Sequence, residues 1–592
     1  MTQADAHKHA IIRKLSVRRF RGLETLDWRP GPTMNLILGG GDMGKTTILD
    51  AVGLLLSASN ATTVSEVDYW RRDNSVEFSI EAVVSLPEGV EPNTFSVLLM
   101  PWDWDGEDAV LPANPEDGDA PEATRPVYRL RVRGTTDLEL VWEIVQPDNS
   151  AISLSAAFRK KIGLVRLSAD DRNDRDLRLV FGSALDRLLA DPAIKARIAD
   201  QVADQDFSEA VGDAGLKALQ VLDARLSKAS LPSGVQLGLT SSHGLSIGAL
   251  IGLLADRDGV ALPLASWGAG TRRMAALEIA AATQADNSIT VIDEIERGLE
   301  PYRLRQLIGV LKTTFGQSFV TTHNPVAIQC ANWATLWYID AATAIGELEQ
   351  AKIAAQQKRD PETFLAKLAV IAEGPTELGF MTRFLRLAFG GEPLDCGVRV
   401  CNGQGNVQTL GLLEALDKGR LAFAAIADDE GDHPGRWRRL KDVMGDRLLR
   451  WDAACTEEVV MKLIPEANLP DLLKAEDGHW DGDRLRTLAT RLGIEDKSLE
   501  AIRHALAAQG RSLRTVMIEA ATGNAQGLTN PTKKEWEAHA RDWFKSGRGG
   551  FELAGYALTD AVWAHLQPLM LPFINAILTA VGRPATTELA RV

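Results

Sequence analysis

Gly39-Gly40-Gly41-Asp42-Met43-Gly44-Lys45-Thr46 follows the pattern G-x-x-x-x-G-K-[ST], and it constrains the fold more than any other stretch of the chain. A short apolar strand, Asn35 to Leu38, runs into it, and the spacing that follows predicts a helix from Lys45 to Leu56. Glycines let backbone N–H groups close around phosphate oxygens, and a helix N-terminus adds a favourable dipole. Gly39 through Thr46, with Thr47 beside them, are therefore the expected ATP cradle: Lys45 reaches the β- and γ-phosphates, and the Thr46 hydroxyl ligates one Mg2+. The fold class expected is α/β.

Three later segments supply what such a loop needs. Ile289-Thr290-Val291-Ile292-Asp293-Glu294 is an apolar strand ending in two acids. Asp293, delivered to the strand's C-terminal edge, would hold the Mg2+ shell, and Glu294 would polarise the attacking water. Ala265-Ser266-Trp267-Gly268-Ala269-Gly270 precedes a helix expected over Thr271 to Thr283. It resembles the ABC signature, whose serine and glycine meet the γ-phosphate bound by the opposite protomer, which implies that role for Ser266 and Gly268. Val320-Thr321-Thr322-His323-Asn324-Pro325 ends a strand with His323, as the ABC H-loop does. With Phe20-Arg21-Gly22-Leu23 ahead of the glycine loop, and Asp293-Glu294-Ile295-Glu296 followed by Leu299 and Pro301, this half resembles the RecF/SMC-related ATPases. It departs from them in two places. Ser65, Glu66 and Asp68 stand where a Q-loop glutamine is expected, and the signature lacks the usual Gln or Glu after its glycine.

At 592 residues the chain should hold two to four domains, and 45% apolar residues suffice to bury their cores. A net charge of −15 argues against a general nucleic-acid coat, since non-specific affinity comes mainly from Lys and Arg. Local basic patches remain: Arg18-Arg19-Phe20-Arg21 and Arg436-Trp437-Arg438-Arg439. Cys330, Cys396, Cys401 and Cys455 form no Cys-x-x-Cys pair, so neither a zinc site nor a disulfide framework is suggested, and a reducing cytoplasm fits. No signal peptide is read at the N-terminus. The apolar stretch Val562 to Val581 carries His565, Gln567, Pro568, Pro572 and Asn575, which favours a buried or interfacial helix over a membrane span.

Composition shifts divide the chain. Residues 1–175 read as the first part of the ATPase, 176–235 as an inserted helical dimerisation segment, and 236–345 as the second part of the ATPase. Phe78 to Leu99 alternates like a strand pair, and the Pro- and Asp-rich Pro101 to Pro126 reads as a surface loop. Residues 346–364 read as a linker or exposed helix, 365–470 as a second α/β core, and 471–592 as its helical elaboration.

In that second core, Leu368 to Ala372 is a buried-type strand running into Glu373-Gly374-Pro375-Thr376-Glu377, where Pro375 suits the first turn of a helix. Val398 to Cys401, Leu421 to Ala427 and Leu448 to Trp451 are further strands. They lead into Gly403-Gln404-Gly405-Asn406, Asp428-Asp429-Glu430-Gly431-Asp432 and Glu457-Glu458 respectively. Strands alternating with helices imply a parallel sheet, whose functional groups collect at the strand carboxyl ends. Acids so crowded repel one another unless cations sit among them, and oxygen ligands suit Mg2+ or Mn2+.

The stretch from Leu365 to Pro470 resembles a Rossmann-like Toprim domain, and the order ABC ATPase then Toprim is similar to the OLD (overcoming lysogenization defect) nuclease family. That resemblance implies a homodimeric DNA endonuclease with two divalent ions at the Toprim site. The ligands would be Glu373, Glu377, Asp428, either Asp429 or Glu430, and Glu457 or Glu458. It also implies a basic residue beside the metals, for which Lys545 and Arg548 in Trp543 to Gly550 both qualify. A role in phage defence or DNA repair, and a UvrD-like helicase partner, are implied by family alone. Asp428-x-Glu430 departs from the family's Asp-x-Asp, which keeps a second reading open: an ATPase scaffold with a decayed Toprim domain that binds DNA or a partner. With five tyrosines and no recognisable cleavage or zinc module, a topoisomerase or primase is disfavoured.

Overall fold

In the computed structural model the chain forms two units, Met1–Glu347 and Leu348–Val592. The residues described are 9–589, except 60–61, 88–89, 91–98, 113–125, 168–174, 181–182, 190, 192–193, 195–207, 240–250, 283–288, 315, 430, 453 and 476–477.

In the first unit the alternation of Leu15, Val17 and Phe20 places Ile11–Phe20 and Leu23–Trp28 in an antiparallel hairpin turning at Arg21-Gly22. Phe78–Ser85, Pro126–Gly134 and Leu140–Val145 extend this sheet. A second sheet is parallel, in the order Leu164–Leu167, Ile289–Ile292, Ser318–Thr321, Met34–Gly39, Thr335–Ile339. Its central strands are buried along nearly their whole length, which explains their unbroken apolar runs. The Lys45–Leu55 helix shares one core with both sheets: Ile48, Leu49 and Val52 pack with Val17, Ile80, Ile289 and Phe319. Trp28 meets Phe319 and Trp337 edge-on, with centroids 5.5 and 5.4 Å away.

One expectation for this unit needs correction. Pro101 to Pro126 is not simply a loop. Trp102–Trp104 and Ala109–Val110 pair as a hairpin, and Trp102–Trp104 also pairs with Pro126–Gly134. The cause is Trp102, which is buried against Val83, Val127 and Val145 and donates its indole N–H to the Val145 carbonyl at 2.8 Å. Of the strand pair expected over Phe78 to Leu99, Phe78–Ser85 is a strand, while 88–89 and 91–98 lie outside the described residues. In the stretch read as an inserted helical segment, Ala184–Leu189 and Ser208–Lys228 are helical, and 195–207 lie outside the described residues.

The second unit is built on four parallel strands ordered Val398–Asn402, Leu368–Ala372, Phe423–Ala427, Leu448–Arg450. Its two central strands are wholly buried. The Gln350–Arg359 helix buries Ile353, Gln356 and Gln357. Helices from residue 482 onward share the core of the sheet, including Trp563, which stacks on Phe384 at 5.5 Å. Among the described residues, one helix, Asp560–Ala580, is long and apolar enough to cross a membrane. Its Val562, Trp563, Leu566, Met570, Phe573, Ile574, Ile577 and Leu578 are buried in this core.

Candidate functional site

Parallel pairing brings the carboxyl ends of Met34–Gly39, Ile289–Ile292 and Ser318–Thr321 to one edge of the first unit's sheet. The three motifs that follow them meet there around a cleft of about 410 Å3. Asp42 and Gly44 take left-handed backbone conformations, φ 58° and 90°, that turn the loop into the helix at Lys45. The Lys45 ammonium donates to the Gly39 and Gly40 carbonyls at 3.0 and 2.5 Å. Burial pushes it below its ordinary value, against the pull of Asp293, Asp42 and Glu294. Thr46 donates its hydroxyl to Asp293 Oδ2 at 3.1 Å, so the two expected Mg2+ ligands touch. Gly41, Met43, Thr47, Glu294 and His323 also line the cleft. Ser266 and Gly268 are not among its lining residues. Both are exposed, and a Cβ at Gly268 would meet nothing within 4 Å.

Sequence reasoning missed the side chains that hold this arrangement. Thr321 donates to Asp293 Oδ1 at 2.6 Å and accepts from the Glu294 N–H at 2.8 Å, and Glu294 itself is left-handed at φ 47°. Buried Arg273, on the helix after Gly270, donates to the Asp293 carbonyl at 2.5 Å. Glu296 accepts from the Thr322 hydroxyl and the His323 N–H at 2.6 and 2.7 Å. Asp68, in place of the expected Q-loop glutamine, is bonded to Arg21 at 2.8 Å.

A family model described as "AAA domain, putative AbiEii toxin, Type IV TA system" matches residues 139–329. That span carries Ser266, Gly268, Asp293, Glu294 and His323, and the glycine loop precedes it. Within the first unit, residues 139–329 are therefore similar to an AAA domain. No curated protein matches the chain in sequence. Among solved structures, an Smc head bound to the C-terminal winged-helix domain of ScpA is similar at 15% identity and TM-score 0.37, covering 58% of this chain and 99% of that one. An Smc head with an extended coiled coil, bound to the C-terminal domain of ScpA derived from Pyrococcus furiosus, is 14% identical with TM-score 0.37, covering 59% of this chain and 100% of that one. The recombination mediator RecF with ATP is 12% identical with TM-score 0.35, covering 58% and 98% respectively.

The second unit gathers carboxylates at the carboxyl edge of its own sheet. Glu373 follows the Leu368–Ala372 strand, is 6% exposed, and accepts the Asp428 N–H through Oε2 at 2.9 Å. Asp428 follows Phe423–Ala427 and accepts from the Thr456 N–H at 3.1 Å. Glu377 and Glu457, in the first turns of Pro375–Phe389 and Thr456–Leu463, are 3% and 0% exposed. One oxygen of each is held: Glu377 Oε2 accepts from the Gly374 N–H at 3.0 Å, and Glu457 Oε1 accepts from the Thr376 hydroxyl at 2.8 Å. The other oxygens, Glu377 Oε1 and Glu457 Oε2, are buried with no hydrogen-bond donor. Burial, then the charges of Glu377, Glu457 and Glu373, push Asp428 up to about 8. Burial, then Glu457, likewise raises Glu377. A cation among these acids would satisfy the two buried oxygens that lack donors and would offset the repulsion that raises Asp428. The carboxylate donors are hard oxygens, which fit Mg2+ or Mn2+.

The remaining expected residues separate. Lys545 meets Glu457 Oε1 at 2.9 Å. Burial pulls its ammonium down, but Glu457, with smaller help from Cys455 and Glu377, leaves it above its ordinary value. Arg548 is exposed in the first turn of Gly547–Ala557. Asp429 accepts from Arg450 at 2.5 Å, and Glu458 pairs with Lys462 one turn on at 2.6 Å. Glu430 lies outside the described residues. Two neighbours were not foreseen. Thr376 donates to both Glu457 and the Phe544 carbonyl, and Cys455 places its sulfur within 4.8 Å of ligand atoms of Asp428 and Glu457. The only sequence signal for Cys455 was its position two residues before Glu457.

Proposed function

We propose that this chain is an ATP-hydrolysing, divalent-metal-dependent DNA endonuclease of the OLD type. The buried cluster of Glu373, Glu377, Asp428 and Glu457, with two carboxylate oxygens lacking donors and Lys545 alongside, carries the reading. Divalent cations bound there would supply activation of a water and stabilisation of the leaving 3′-oxygen of a phosphodiester. Glu373 and Asp428 would set the spacing of the centre, because each is fixed at a strand end and they are bonded to each other. Lys545, held protonated by Glu457, would meet the negative charge that grows on the scissile phosphate. In the first unit Lys45 would exchange the Gly39 and Gly40 carbonyls for ATP phosphates. Thr46 and Asp293 would share Mg2+, and Glu294 and His323 would orient the attacking water. Ser266 and Gly268, exposed outside the cleft, would complete the ATP site of a second copy in a homodimer. A role in phage defence or DNA repair and a UvrD-like helicase partner belong to the same reading through the family resemblance, and a cytoplasmic location through the cysteine usage.

The test is incubation of the purified full chain with supercoiled and linear DNA in Mg2+, Mn2+ or chelator, with and without ATP. Cleavage that requires the metal is expected. Normal ATP hydrolysis with no cleavage in either metal would replace this reading with the scaffold.

A further inference from the structure

We propose that Cys455 is itself a ligand of the cation bound beside Asp428 and Glu457, which makes this a mixed oxygen–sulfur centre. The proposal rests on the metal-dependent reading above and narrows which ions the site takes. A half-buried cysteine ordinarily serves as a small apolar filler. Cys455 is placed otherwise, since one ligand atom from each of Asp428, Cys455 and Glu457 lies within 4.8 Å of the others. The backbone holds it there. Cys455 is the residue before the Thr456–Leu463 helix, and the next N–H, that of Thr456, is bonded to Asp428 Oδ1 at 3.1 Å. Glu457, two residues on, is 0% exposed, and its Oε2 has no donor. A cation drawn in by that orphaned oxygen and by Asp428 would meet the sulfur as a third ligand.

The other cysteines are engaged elsewhere or belong to the first unit. Cys401 contacts the Thr363 hydroxyl at 3.1 Å, Cys396 accepts from Arg583 at 3.1 Å, and Cys330 ends a helix of the first unit. Coordination replaces the S–H bond of Cys455 with a sulfur–metal bond and releases the proton to water. Sulfur is a poor ligand for Mg2+, which keeps an oxygen shell, and a good one for Co2+ and Zn2+. The centre should therefore rank thiophilic ions well above Mg2+, by more than an all-carboxylate site would.

Co2+ reports this directly in the full-length protein. Titration should produce the near-ultraviolet sulfur-to-cobalt charge-transfer band, which Cys455→Ser should lose and Cys401→Ser should keep. Zn2+ affinity, measured by equilibrium dialysis, should fall roughly tenfold or more in Cys455→Ser, the scale typical of altered metal shells, while Mg2+ affinity stays put. Cys455→Ala serves in its place if the serine variant melts early in chelator. Co2+ that binds the wild type without the band, or a band that survives in the Cys455 variants, overturns the sulfur ligand and leaves the carboxylate centre standing. A wild type whose binding of Co2+, Mn2+ and Mg2+ is unaffected by Asp428→Ala would sink the metal reading itself.

Discussion

Glu373 and Asp428 should be the acids that the second unit can least replace. Each ends a parallel strand, and the Asp428 N–H rests on Glu373 Oε2. Glu377 and Glu457 begin helices, yet both are buried more deeply than Glu373, with one oxygen of Glu377 held by Gly374 and one of Glu457 held by Thr376 and Lys545. Glu373→Ala and Asp428→Ala should each lower DNA cleavage more than about a hundredfold, a loss of several kcal/mol of phosphate stabilisation, with ATP hydrolysis unchanged. Near wild-type cleavage by both variants, in gel assays with Mg2+ and Mn2+, would refute the site. Asp428 also sets a pH dependence. An unfolded aspartate titrates near 3.8, whereas the folded one is pushed up to about 8. Between these values the native state alone holds the proton, so its stability falls as pH rises from about 4 to about 8 and then levels off. In chelator, the melting temperature of the wild type should decline across this range more steeply than that of Asp428→Asn. Parallel curves for the two proteins would show that Asp428 is not the group responsible.

At the scale of elements, the Trp543 to Gly550 segment changes meaning once its packing is known. Trp543 and Phe544 are buried, and Ser546 caps the Gly547–Ala557 helix by accepting the Gly549 N–H at 3.0 Å. That helix crosses Pro375–Phe389 with backbones in contact. A Cβ at Gly379 would lie 1.8 Å from the Gly547 carbonyl oxygen, and one at Gly550 would lie 1.9 Å from that of Thr376. The close crossing holds Phe544 against Thr376, and with it Lys545 against Glu457. Gly379→Ala and Gly550→Ala should each destabilise the second unit by about 1–3 kcal/mol, read by urea denaturation, and should reduce cleavage by displacing Lys545. Unchanged stability in both variants would mean that the crossing is looser than described. The two basic runs also diverge. Arg18 pairs with Asp27, Arg19 with Asp73, and Arg21 with Asp50 and Asp68, so that run, at the end of an interior strand and its turn, is neutralised by acids. In the other, Arg436 pairs with Glu414 while Arg438 and Arg439 are exposed.

For the whole molecule, the ATP cleft and the carboxylate centre lie in different units. Lys45→Ala should remove nearly all ATP hydrolysis and still leave measurable metal-dependent cleavage. Complete loss of cleavage in a well-folded Lys45→Ala protein would make ATP binding obligatory for cutting. In the proposed homodimer, Ser266 and Gly268, exposed outside the cleft, would meet the nucleotide of the second copy. Light scattering at micromolar concentration should give the mass of a dimer with ATP present, and a monomer mass with and without ATP would count against it.

Short-range pattern in the sequence carries the strands and motif loops of both units. The glycine loop, the acid-ended strand Ile289 to Glu294 and the four apolar strands after Leu365 could be read because each is a short run in which residue type, spacing and burial agree. Those runs implied parallel sheets, and parallel sheets gather strand ends at one edge. Among the described alternatives, only long-range contacts bring Lys545 and Thr376 to Glu457. Lys545 over Arg548 follows from two glycine-mediated helix contacts between residues 168 or more apart in sequence. The pairing of Asp429 with Arg450, the hold of Thr321 and Arg273 on Asp293, and the approach of Cys455 to Asp428 are likewise long-range. No periodicity records such contacts, because they arise only when separate elements fold against one another.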